Sequence, residues 1–133
     1  MPTTTFIQRF ALTPSVAQDI TAAVVQRVHR ADLPEGTAVV AASGGGASVV
    51  VLPTDADARD EVVGFYAGLA GDGSAAAAPF VRAAVLGGAL TLPIVNRTVE
   101  LDDGCGIFLL EHGPAARERA VAIAVTGEID QDG

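Results

Sequence analysis

The sequence predicts an α+β fold in one domain over residues 1–133: a mixed, mostly antiparallel β-sheet sandwich with packed helices. Three observations predict it. The last third is a series of short β-type runs separated by turn residues, which favours antiparallel neighbours. Three earlier segments carry helical signals, and their helices can pack against that sheet. No internal repeat or linker divides the 133 residues, a length that suits one core.

Each element has its own signal. The opening "TTTFIQRFAL" places Phe6 and Phe10 at even spacing among β-branched residues and reads as a strand. "LTPSVAQDITAAVVQRVHR" reads as a helix, with Thr13 as N-cap and Pro14 at the first helical position. Val16, Ile20, Val24 and Val28 recur every four residues and give it one apolar face; Pro34 and Gly36 follow its end. "TAVVAAS" and "ASVVVL" are two strands flanking Gly44-Gly45-Gly46. "PTDADARDEVVGFYAGL" restarts a helix. Thr54 can cap it, Asp55 and Asp57 complement its dipole, and Val62, Tyr66 and Leu69 share its inner face. After the loop "GDGSAAAA", a short helix around "PFVRAAVL" stops at Gly87-Gly88. "ALTLPIV", "RTVELD", "GIFLLEH" and "RAVAIAVTGE" complete the chain as strands.

Composition narrows the function classes. Half of the residues are hydrophobic, only 5% are aromatic and Trp is absent, so Val, Ala, Leu and Ile must build the core. The formal net charge of −8 shows no basic footprint for nucleic acid and opposes adhesion to an anionic membrane. The most apolar stretch, "AAAAPFVRAAVLGGALTLPIV", is broken by Arg82, two glycines and Pro93, which makes a poor membrane span. The single cysteine, Cys105, allows no internal disulfide, and the N-terminus lacks a signal-peptide pattern. Together these predict a cytoplasmic location.

The candidate sites are few. A phosphate-binding Walker loop needs Lys and Ser/Thr after its last glycine, whereas Ala47-Ser48 follow here. A dinucleotide fingerprint needs a helix after the glycines, and a strand follows instead. Two readings of the glycine run stay open: a turn between strands, or a pocket edge whose backbone N–H groups hold an anion. Cys105, between two glycines, reads as a structural cysteine, because a nucleophile needs a nearby base and His112 lies far along the same strand. His29 and His112 form no metal-ligand spacing, so neither metal nor cofactor is expected. Glu111-His112 ends a strand, either at a pocket or at the surface. Asp102-Asp103 suits a solvated turn. Arg117 and Arg119 alternate and can share a face, either to hold phosphate or to pair with Glu111 or Glu128. An anion site, if kept, lies between Gly44–Gly46 and Arg119.

The ordered series Leu86-Gly87, Leu92-Pro93, Ile107, Glu111, Arg117 and Arg119, and Gly127-Glu128 resembles the C-terminal half of the YjbQ-like family, the secondary thiamine-phosphate synthase-like proteins. The resemblance can be threaded over residues 5–128. It implies an α+β fold assembled as a homotrimer, with pockets near subunit boundaries. It also implies a secondary ability to join the pyrimidine and thiazole halves of thiamine phosphate. The chain departs from the family where chemistry is expected. The family's His-Thr-Ser/Thr-Ala run falls on Gly44, Gly45, Gly46 and Ala47. Its Asn-Glu lies near Leu52-Pro53, a second histidine near Phe80, and its Trp-Gln pair at Gly104-Cys105.

The expectation is a divergent member with a small phosphate-ester pocket at Gly44, Gly45, Gly46, Ala47 and Arg119 and little or no synthase activity. The alternative is a non-catalytic homotrimeric interaction protein. An enzyme of different chemistry would have only Glu111 or Cys105 to use.

Overall fold

The computed structural model describes residues 3–12, 17–42, 46–67, 83, 86–112 and 119–128, with 3–12, 66 and 67 described by their backbone alone. The elements run β1 (Thr3–Leu12), β2 (Ala17–Asp19), α1 (Thr21–Ala31), β3 (Glu35–Ala42), β4 (Ala47–Pro53), α2 (Ala56–Ala67), β5 (Ala89–Val95), β6 (Thr98–Val99), β7 (Cys105–Glu111) and β8 (Arg119–Glu128). They form a five-stranded sheet in the order β1-β8-β3-β5-β6 and a three-stranded sheet in the order β2-β7-β4. Every pairing among the described residues is antiparallel.

Period-two alternation decides which face of each strand is buried. Along β8, Val121, Ile123 and Val125 are buried, and they meet Ala38 and Val40 of β3, Leu92 and Ile94 of β5, and Val49, Ile107 and Leu109 of the smaller sheet. Burying side chains of this kind contributes about 1.5–3 kcal/mol each. Strand β7 is buried on both faces. Phe108 and Leu110 turn away from the main core and pack with Leu52 and with Val62 and Val63 of α2. A sheet covered on both sides reads as a continuous apolar run, and "GIFLL" does so. Arg59 of α2 lies 5.0 Å over the Phe108 ring.

Two helix starts differ from the sequence expectation. Helix α1 begins at Thr21 rather than near Thr13, because Ala17–Asp19 pair with β7 instead of entering the helix. Asp19 Oδ1 accepts from Thr21 N and from Thr21 Oγ1, and Thr21 Oγ1 in turn accepts from Ile107 N at 2.8 Å. Thr13, Pro14 and Val16 lie outside the described residues; Ile20, Val24 and Val28 do face the core. At α2 the cap is Asp55 rather than Thr54: its Oδ2 accepts from Ala58 N at 2.9 Å, while Thr54 Oγ1 donates to Gly104 O. The Tyr66 and Leu69 side chains lie outside the described residues.

Strands β3 and β4 belong to different sheets and so do not pair as a hairpin. Gly36 and Gly127 face each other across β3 and β8, and a Cβ on Gly36 would clash with Thr126 O. Only glycine fits that close approach.

Candidate functional site

Strands β4 and β7 run antiparallel with Ala47 opposite Glu111 and Pro53 opposite Cys105. This register brings the start of β4 to the end of β7. Alternation then sorts the side chains. Glu111 continues the inward row of Ile107 and Leu109, and Arg119 continues the inward row of Val121, Ile123 and Val125 from the opposite sheet. The two meet between the layers and close that end of the core. Arg119 Nε donates to Glu111 Oε2 at 2.6 Å and Nη2 donates to Oε1 at 2.7 Å, a two-point fork with both residues buried. The hydrogen bonds to Glu111 raise the Arg119 guanidinium above its ordinary value, burial opposes the rise and the charge of Glu111 adds to it. Arginine stays charged through any ordinary pH.

On the other face of the same strands lies a second pair. Ser48 Oγ and His112 Nε2 are 2.9 Å apart, and His112 N donates to Gly46 O at 2.8 Å. Ser48 is fully buried and His112 half-buried. Gly46 has φ +85°, a conformation that glycine adopts without the steric cost of a Cβ. A serine hydroxyl can donate to a neutral imidazole or accept from a protonated one, so the pair is satisfied in either state.

Thus Gly46 and Ala47 at the start of β4, Glu111 at the end of β7 and Arg119 at the start of β8 lie at one end of the two sheets. The ion pair of Arg119 is with Glu111 rather than Glu128, and a carboxylate occupies its fork. Gly44, Gly45 and Arg117 lie outside the described residues, as does Phe80. The role of Ser48 was missed. The signal was a lone hydroxyl in the apolar run "ASVVVL", where a polar side chain inside a doubly covered strand must have a partner.

Cys105 is not part of this group. It opens β7, whereas His112 follows its last residue, so at about 3.3 Å per residue the whole strand separates them. Its N–H donates to Asp102 O, which makes Asp102-Asp103 the turn that the sequence suggested; both are exposed. His29 is exposed in the last turn of α1. Among the described residues, no three His, Cys, Asp or Glu side chains stand where they could hold a metal ion. Nor is any helix there long and apolar enough to cross a membrane.

The fold recurs in solved structures. A YbjQ-like protein of unknown function from Sulfolobus solfataricus P2 matches with a TM-score of 0.85 at 17% identity, covering 96% of this chain and 100% of its own. A hypothetical protein from Aeropyrum pernix K1 matches with a TM-score of 0.81 at 19% identity, covering 92% and 99%. An uncharacterized conserved protein of the YjbQ/UPF0047 family from Clostridium acetobutylicum reaches 0.78 at 22% identity, covering 89% and 98%. No functionally curated protein matches the chain. The family model described as "UPF0047 protein YjbQ-like" matches residues 9–128. The chain therefore belongs to the YjbQ-like UPF0047 family.

Proposed function

We propose that this protein is a divergent YjbQ-like member that binds a small phosphate ester in the cytoplasm and has little or no thiamine-phosphate synthase activity. The observation that carries the reading is the convergence of polar groups at one end of β4 and β7: Gly46, Ser48 and His112 on one face, and Glu111 with Arg119 on the other. A seam given over to scaffolding alone would be filled with apolar side chains. Because Glu111 occupies the Arg119 fork, the anion contact falls to backbone N–H groups of the glycine run. The loss of synthase chemistry rests on Gly44 and Phe80 standing where the resemblance expects histidines. General acid–base catalysis contributes about 10²–10⁴-fold, so its loss takes turnover below a useful level.

The test is thiamine-phosphate formation from the pyrimidine diphosphate and the thiazole phosphate, with wild type beside Gly44→His, and with thiazole phosphate binding measured in parallel. Binding without turnover by wild type is expected; ready turnover overturns the reading.

A second reading, a non-catalytic homotrimer that serves as an interaction protein, is favoured by one observation. Phe65 on α2 is 70% exposed, the most open large hydrophobic side chain among the described residues. Light scattering of the wild type and of Phe65→Ser tests it. A trimer that falls apart on substitution supports it, and a monomer in both removes it.

A further inference from the structure

At the end of β4 remote from the polar pairs, the inward row of side chains does not stay covered. Ala47 and Val49 of this row are buried, but Val51, the next inward position, is 37% exposed. The cause is the architecture. Strand β4 is the edge of its sheet, and an open gap remains beside this end of it. The gap is a groove of about 300 Å³ with a floor of Val51, Leu92 and Leu101 and a rim of Glu100 and Asp102. Leu92 belongs to the packed core and the partly buried Leu101 packs against it, so the floor is held in place. Backbone bonds fix the rim: Glu100 N donates to Pro93 O at 3.0 Å, and Asp102 O accepts from Cys105 N at 3.1 Å.

The carboxylates of Glu100 and Asp102 are exposed, and among the described residues neither has an ion-pair or hydrogen-bond partner. The chain as a whole carries a formal net charge of −8 and so concentrates cations at its surface. Apolar floor and unpartnered carboxylate rim together select one ligand chemistry. We propose that this groove binds a small organic cation, an ammonium on a compact apolar body, with the body on Val51, Leu92 and Leu101 and the charge between Glu100 and Asp102. The volume is at the lower end for small-molecule sites, which fits a ligand the size of one ring with a short side arm. This site is separate from the phosphate-ester reading, and either can fail without the other.

The probe is phenethylammonium, titrated into the full chain and followed by backbone amide NMR, with neutral 2-phenylethanol as its counterpart. The amine should shift the amides of Val51, Leu92 and Leu101 and the segment 100–102. It should bind at least about fivefold more tightly than the alcohol, a difference of about 1 kcal/mol. The Glu100→Gln/Asp102→Asn double variant, altered only at exposed side chains, should lose that preference while keeping the same fold by NMR. Equal affinity for amine and alcohol, an unchanged preference in the double variant, shifts mapped elsewhere, or no shifts at about 10 mM amine would each overturn the proposal. The same shifts produced by magnesium ion alone at lower concentration would also overturn it, since the groove would then be a simple inorganic cation site.

Discussion

At one end of the β4–β7 pair, Ser48, Glu111 and His112 lie beside Gly46, and each side chain has a partner. At the other end, Val51 is half open, Cys105 stands between two glycines and the nearby carboxylates face solvent. The same two strands thus carry two kinds of polar placement. Where the layers close, a charge can be kept only by pairing it across the core, because an unpaired buried ion costs several kcal/mol. Beside the edge of β4, carboxylates stay hydrated and Val51 is left partly exposed.

The largest test of this contrast is to break the buried fork. Glu111→Ala leaves the Arg119 guanidinium at 3% exposure without its carboxylate, and should cost about 3–5 kcal/mol in urea denaturation. Replacing both partners, Glu111→Leu with Arg119→Met, should recover most of that loss, because no buried charge is left uncompensated. If the double variant is as unstable as the single one, the pair does more than close the core. The Ser48–His112 contact is smaller. Ser48→Ala removes one hydrogen bond to a half-buried imidazole and should cost about 1 kcal/mol by the same measurement. At the opposite end, Cys105→Ala touches neither pair and should change stability by no more than about 0.5 kcal/mol, with thiazole phosphate affinity unchanged. A large loss of affinity there would erase the distinction between the ends.

Much of the fold was legible because its signals are local. The strand runs of the last third, the α1 face of Ile20, Val24 and Val28, and the apolar β7 run each follow from spacing alone. The helix starts were less legible. Thr13 and Thr54 are good caps by type, but pairing of Ala17–Asp19 with β7 and the reach of Asp55 to Ala58 are set by neighbours that the local sequence does not reveal. The placing of β3 and β4 in different sheets was hidden for the same reason, since two strands close in sequence usually form a hairpin. At the site, alternation puts Arg119 on one face of its strand but does not name the partner it meets there. The choice between Glu111 and Glu128 needed the register. Glu128 lies on the outward face at the far end of the same strand.

The most direct test of the central claim is an amide NMR titration of wild type with thiazole phosphate, followed by a turnover assay on the same sample with the pyrimidine diphosphate added. The account predicts shifts at Gly46, Ala47 and His112, little change at Val51 and Cys105, and no thiamine phosphate formed. Ready product formation, or shifts confined to the Val51–Cys105 end, would contradict it.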